Sequence, residues 1–157
     1  MKKLKKVLLA LVLFFAVISL SGCTNKKPIT ANEFKNIMEG KSYYVTDVTS
    51  QYSSESYMEK VYVARNNDNK YQIEFVETTT EKDAIEVYDN NKNTFESSLG
   101  SVSKGKLVFN SQNVQKFRAT SNGYYMVLTR KGNTMIYAKV PAEYTNEVAN
   151  IIKDLGY

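Results

Sequence analysis

The amino-acid sequence predicts an α+β domain, in which a curved antiparallel sheet of about seven strands carries helices packed on one face. Apolar and polar residues alternate with a period of two over short segments, which is typical of half-buried strands. Three further segments have apolar residues at helical spacing, and capping signals precede two of them. Short turns rich in Asn and Gly favour antiparallel pairing of neighbouring strands. The predicted order of elements is α-βββ-α-ββββ-α.

The first two predicted helices begin at threonine caps. Thr30 and Glu33 have the T-x-x-E spacing of a capping box, and Gly40 is expected to end the helix that they begin. Thr80, with an aspartate three residues later, begins the second helix, which Gly100 is expected to end. Each helix has a narrow apolar stripe and must therefore dock on another element.

The predicted strands cover residues 43–49, 57–64, 71–76, 106–110, 114–120, 124–130 and 134–140. Asn122-Gly123 is a strong signal for a two-residue hairpin turn, and residues 131–133 are expected to turn the last pair of strands. Pro141 is expected to open the third helix, and Gly156 follows its end. The second half of the chain is thus predicted to be a meander closed by a helix.

The first 23 residues have the layout of a secretory signal. Four lysines between positions 2 and 6 precede an uninterrupted apolar run at 7–18. The apolar stretch to Leu20 is about 14 residues long, shorter than the roughly 20 that a transmembrane helix needs. A cleaved export signal is therefore favoured over a retained membrane helix.

The residues after this run, Leu20, Ser21, Gly22 and Cys23, resemble the lipobox of bacterial lipoproteins. The resemblance implies cleavage between Gly22 and Cys23 and a diacylglycerol thioether on Cys23, whose two acyl chains give stable anchoring. It also implies a location on the outer face of the cytoplasmic membrane. In a Gram-negative source it implies the outer membrane, because Thr24 rather than Asp follows the cysteine. The alternative is an ordinary signal peptide with a cysteine near its cleavage site.

These boundaries divide the chain into a signal peptide at 1–22, a lipidated cysteine with its tether at 23–30, and a single domain at 31–157. Residues 61–76 and 126–140 share the order strand, arginine, polar turn, strand. This similarity favours an internal duplication, with half-repeats at 31–100 and 101–157. The alternative is that any hairpin followed by a helix gives such a pattern.

Charge and composition limit the chemistry of the mature chain. Four of the 21 Lys and Arg residues lie in the predicted signal peptide, which leaves 17 against 16 Asp and Glu, so the net charge falls from +5 to about +1. This near balance argues against nucleic acid as a partner. The sequence contains no His, and Cys23 is its one Cys. Triads that use His, His-ligated zinc and thiolate sites are excluded, and no cofactor, metal or catalytic residue is predicted.

Tyrosine is the most distinctive part of the composition, with 12 residues. Tyr62, Tyr71, Tyr125 and Tyr137 fall on predicted strands and are expected to form a stripe on the sheet face away from the helices. An open face rich in tyrosine suits the binding of a sugar polymer or a protein partner. The alternative is half-buried sheet residues whose hydroxyl groups are solvated.

The whole chain resembles small lipoproteins of Gram-positive bacteria, which combine a lipobox, a short tether and an α+β domain rich in Tyr, Asn and Lys. The anchor and the lack of a convergent reactive set favour a non-enzymatic binding or accessory module of the cell envelope. Its partners would be the membrane and an envelope protein or cell-wall polymer. One alternative is an enzyme that acts on envelope polymers through carboxylate, Lys or Tyr chemistry. Another is an inhibitor or immunity-type lipoprotein that docks on an exported protein through a strand edge.

Overall fold

The computed structural model describes residues 27–101 and 103–157, so the predicted signal peptide and lipobox lie outside the described residues. The α-helices are α1 (Ala31–Gly40), α2 (Glu81–Ser97) and α3 (Thr145–Asp154). The strands are β1 (Tyr44–Asp47), β2 (Met58–Arg65), β3 (Gln72–Thr78), β4 (Ser103–Asn110), β5 (Val114–Ser121), β6 (Tyr124–Lys131) and β7 (Thr134–Pro141). Short 3-10 helices lie at Thr49–Tyr52 and Ala142–Tyr144.

The strands form one sheet of seven strands in the order β1-β2-β3-β7-β6-β5-β4. Two antiparallel meanders, β1 to β3 and β4 to β7, are joined in the middle by the antiparallel pairing of β3 with β7. The predicted α+β class and antiparallel sheet are confirmed. Pro141 is the last residue of β7 rather than the first of the third helix, because a 3-10 turn precedes α3. The division into half-repeats stays a prediction.

The local signals for caps and turns act as predicted. Thr30 and Thr80 form capping boxes, each with the acidic residue three positions later. Asn122 and Gly123 turn between β5 and β6 with φ angles of +52° and +80°, which a two-residue hairpin of this kind requires. β4 begins at Ser103, earlier than predicted, since an irregularity near its start keeps the additional residues paired with β5.

The placement of the helices differs from the prediction, because they cover both faces of the sheet. α1 and α3 pack on one face, here called the two-helix face, with Phe34 and Ile152 in its core. α2 packs on the opposite face, here called the one-helix face, with Tyr88 and Phe95 in a second core. Successive residues of the central strands belong to alternate cores, so these strands are buried on both sides.

Candidate functional site

The four tyrosines predicted as a binding stripe are buried or partly buried, so the prediction of an open stripe is wrong. Tyr62, Tyr71 and Tyr125 are 7%, 6% and 5% exposed and belong to the core of the two-helix face. Tyr137 packs on the one-helix face, where its ring stacks on Phe95 at a centroid distance of 4.9 Å. The four side chains therefore divide between two faces and share no surface.

The physical reason is the helix layer on each face together with strand register. Tyr137 pairs with Leu128, which lies in the one-helix core, so strand alternation separates it from Tyr125 on the neighbouring strand. The most exposed of the described tyrosines are Tyr44, which is 66% exposed, and Tyr124, which is 44% exposed. Neither belongs to the predicted stripe.

The two-helix face has an uncovered end. α1 contacts β1, β2 and β3, and α3 contacts β7, whereas β5 and β4 are the last strands of the sheet beyond β7 and β6. A groove of about 450 Å³ opens between α3 and these outer strands. Its lining includes Leu107, Lys116, Arg118, Val127 and Lys153, and it is here called the basic groove.

Three cations line the basic groove beside apolar side chains. Lys116 and Arg118 flank the buried Phe117 along β5, so both cations lie on the groove side while the ring fills the one-helix core. Lys153 approaches from α3. Within the described ranges, none of the three cations forms an ion pair. The groove therefore carries uncompensated positive charge, although residues 23–157 as a whole have a net charge of only about +1.

A buried hydroxyl group in the lining of the basic groove lacks a hydrogen-bond partner. Thr129 is 1% exposed and lies on β6 directly opposite Lys116. Its Oγ1 atom has no partner in the part of the chain that the structure describes, although buried hydroxyls are normally paired. An unpaired buried hydroxyl costs roughly 1–3 kcal/mol. This position therefore suits a ligand that accepts a hydrogen bond.

The end of the predicted tether packs beside the basic groove. The Ile29 backbone forms a hydrogen bond with the hydroxyl of Tyr157, and Tyr157 lines the groove. Pro28 lies against the β6–β7 turn at Gly132, where an added Cβ would come within 3.0 Å of the proline ring. Residues 28–29 are thus part of the fold, and the linker to Cys23 consists of the residues before them.

A second polar cluster lies near the start of α3. The Glu147 carboxylate accepts a hydrogen bond from Tyr71 at 2.6 Å and from Tyr43 at 3.1 Å, and the two hydroxyls also bond to each other. Burial raises the pKa of Tyr43 to about 12, and burial together with the Glu147 carboxylate raises the pKa of Tyr71. Both hydroxyls stay protonated at neutral pH. The cluster therefore fixes α3 to the residues just before β3 and β1, and it is poorly suited to proton transfer.

Alkaline pH is expected to destabilise the fold. Burial raises the pKa of Tyr43, Tyr88 and Tyr157 to about 12, whereas an unfolded tyrosine ionises near about 10. The folded state holds these protons more tightly, so stability is unchanged below about pH 10 and falls as the pH rises towards about 12. The urea midpoint measured across this range, together with tyrosinate absorbance, checks the prediction.

Substitutions separate buried tyrosines from other causes of this pH dependence. Tyr157→Phe is expected to make the fall in urea midpoint shallower, because one buried hydroxyl no longer titrates on unfolding. Tyr44→Phe is the matched control, since Tyr44 is 66% exposed. A urea midpoint that stays constant while tyrosinate forms would contradict the prediction.

The basic groove is absent from the sequence-based prediction, although one signal for it is present. Residues 116–118 alternate cation, aromatic ring and cation within a predicted strand, which places both cations on one face. Nothing in the local sequence shows that Lys153 lies across from them. The position of α3 beside β5 depends on how the whole chain folds, so the local sequence does not predict it.

Comparisons with known proteins assign no family to the chain. No protein family matches it, and no curated protein matches it. Among solved structures, it is similar to a GTP binding regulator from Thermotoga maritima, with 17% identity over 73% of this chain and 80% of that chain. The TM-score is 0.42, and a likeness of this size carries no argument about fold or function.

The described residues carry neither a membrane-spanning helix nor a metal-binding cluster. Between 27 and 101 and between 103 and 157, no helix has the length and apolar character needed to span a membrane. The same ranges contain no group of three or more His, Cys, Asp or Glu side chains placed to hold a metal ion.

Proposed function

We propose that this protein is an exported, membrane-anchored lipoprotein that acts as a non-enzymatic binding module of the cell envelope. The lipobox-like residues 20–23 support the anchor. The basic groove carries the binding role, because one cavity of about 450 Å³ combines apolar side chains with cations and a hydroxyl that have no ion-pair or hydrogen-bond partner, respectively, among the described residues. Concave sites with an apolar lining and a few placed polar groups are typical of ligand binding.

The anchor is tested by the substitution Cys23→Ala in the full chain. Wild-type protein is expected to lose residues 1–22, to gain the mass of diacylglycerol on Cys23 and to remain with the membrane fraction. Cys23→Ala is expected to lack the lipid and to leave the membrane, because without its acyl chains the mature domain has no stable anchor. Mass spectrometry and membrane fractionation measure both results.

The control for this experiment is Thr24→Ala, which changes the next residue and leaves the thiol in place. It is expected to be processed and located like wild type. If wild-type protein carries no lipid, or if Cys23→Ala is processed and retained like wild type, the anchor is wrong.

An inhibitor or immunity-type role is the second candidate, and the exposed edge of β4 favours it. β4 is an outer strand, and all 8 of its residues are exposed. Leu107, Val108 and Phe109 are 36%, 45% and 50% exposed, and the strand carries no charge after Lys106. Such an edge can pair with an extended segment of another protein. Crosslinked capture from envelope extracts, compared between wild type and Val108→Lys, tests this candidate.

A further inference from the structure

The basic groove lies close to the point where the tether joins the domain. Ile29 bonds to Tyr157, which lines the groove, and Pro28 packs on the nearby β6–β7 turn. The linker between Cys23 and Pro28 spans roughly 17 Å when fully extended. A lipidated Cys23, which belongs to the proposed function on which this inference rests, would therefore hold the groove near the membrane surface.

The charge of the groove is complementary to an anionic lipid surface. Lys116, Arg118 and Lys153 form no ion pair with any described residue. Each Lys or Arg held near an anionic leaflet strengthens membrane binding by about fivefold. Three such cations around one cavity, two on β5 and one on α3, favour a negatively charged ligand over a neutral one.

The apolar side chains beside these cations favour a ligand with an apolar part. Leu107 pairs with Arg118, and Phe109 pairs with Lys116, so both side chains lie on the same face as the cations. They are 36% and 50% exposed and neighbour each other on that face, so they form one apolar patch beside the cations. A ligand that has an anionic group next to hydrocarbon would satisfy both halves of this surface.

Thr129 supplies a third and independent feature. Its hydroxyl is buried in the groove lining opposite Lys116 and has no hydrogen-bond partner among residues 27–101 and 103–157. A phosphate oxygen next to Lys116 would accept this hydrogen bond and remove the penalty of the unpaired group.

We propose that the basic groove binds the headgroup of an anionic phospholipid in the membrane that carries the anchor. The phosphate accepts hydrogen bonds from Lys116, Arg118 and Thr129, while Leu107 and Phe109 contact the hydrocarbon next to the headgroup. The anchor alone would leave the domain free to rotate on its linker. A lipid headgroup bound in the groove fixes the orientation of the domain, so that the two-helix face points towards the membrane.

The test uses the lipidated protein, residues 23–157, reconstituted into vesicles of phosphatidylcholine, or of phosphatidylcholine mixed with phosphatidylglycerol. Hydrogen exchange read by mass spectrometry is expected to slow in β4, β5 and the end of α3 when phosphatidylglycerol is present. Exchange in α2, on the opposite face, is expected to be the same in both vesicles. The difference is expected to disappear at about 1 M salt, where charges are screened within about 3 Å.

Variants separate groove binding from a general attraction of the domain to the membrane. Lys116→Gln/Arg118→Gln is expected to abolish the slowing, whereas Lys70→Gln/Lys82→Gln, which removes two exposed lysines outside the groove, is expected to keep it. Thr129→Val is expected to weaken the slowing while its urea midpoint stays equal to wild type or rises, because the lost hydroxyl had no partner. If Thr129 only stabilised the fold, its substitution would lower the urea midpoint instead.

The proposal is overturned if the groove variants keep the wild-type response to phosphatidylglycerol. It is also overturned if polyglutamate, added to phosphatidylcholine vesicles, slows the same segments as strongly, since the ligand would then be an acidic polypeptide. Absence of the lipid anchor would give a different result, because protein without lipid on Cys23 would not float with phosphatidylcholine vesicles. Unanchored protein would still test the groove, since it should float with phosphatidylglycerol vesicles only.

Discussion

Arg130→Ala is expected to lower the free energy of unfolding by about 3–5 kcal/mol, one of the two largest effects among the substitutions considered. Arg130 is 1% exposed and lies on β6, on the one-helix face. Removing its guanidinium takes the donors from four acceptors, but Glu81 and Gln112 are exposed and can bond to water, so most of the loss comes from the packing of the buried Arg130 side chain.

The contacts of Arg130 show why the effect is large. Its guanidinium donates to Glu81 Oε1 at 2.9 Å, to Gln115 Oε1 at 2.6 Å, and to the carbonyl oxygens of Gly132 at 2.7 Å and Gln112 at 3.1 Å. These groups belong to the start of α2, to β5, to the β6–β7 turn and to the β4–β5 turn. One side chain thus joins the start of α2, 49 residues away in the sequence, to the paired ends of β5 and β6.

Urea denaturation of wild type and variant measures the loss. Lys82→Ala is the matched control, because Lys82 also pairs with a residue of α2, Glu86, but its side chain is 84% exposed. Its effect is expected to stay within about 0.5 kcal/mol. If the two substitutions lowered the free energy of unfolding equally, the contacts of Arg130 would stabilise the fold no more than an exposed ion pair does.

The secondary structure was predictable because its signals act over a few residues. The Thr30 capping box and the Asn122-Gly123 turn depend on side chains and φ angles within one turn of chain. Short runs rich in β-branched and aromatic residues between turn signals likewise indicate each strand, including the central strands that are buried on both sides. Errors at this level are small, as with the early start of β4.

The face of the sheet on which each helix packs is harder to predict from the sequence than the helices and strands themselves. One signal for it is nevertheless present in β2. Residues 61–64, Val-Tyr-Val-Ala, are apolar in succession, which is expected of a strand covered on both sides. The segments in which apolar and polar residues alternate instead predict a sheet with one face open to solvent. That one error explains why Tyr62 and Tyr125 were predicted on a surface that α1 and α3 cover.

The site depends on contacts between distant parts of the chain, so its prediction required the tertiary fold. Lys116 and Lys153 meet in one groove because α3 returns across the sheet and stops short of the outer strands. The unpaired state of Thr129 is likewise a property of the packed structure, since a sequence does not show which hydroxyls lack partners. A net charge, whether +5 for the whole sequence or about +1 for residues 23–157, does not show this local excess of cations.

Phe34→Ala is the second substitution with a large expected effect, a loss of about 3–5 kcal/mol in the free energy of unfolding. Phe34 and Phe75 are both 0% exposed, and their rings stack at a centroid distance of 5.1 Å. This contact joins α1 to β3 in the core of the two-helix face. Truncation removes the stacking and leaves a cavity that the surrounding residues fill only in part.

Phe109→Ala is the control that separates stability from binding. Phe109 is 50% exposed on the edge strand, so its loss is expected to change the free energy of unfolding by less than about 0.5 kcal/mol. The same substitution is expected to weaken the response of the groove to phosphatidylglycerol, because it removes an apolar contact beside Lys116. Urea denaturation and hydrogen exchange on both variants give the comparison. If Phe109→Ala destabilised the protein as much as Phe34→Ala, the exposed ring would be part of the core, and the surface assigned to lipid would not exist.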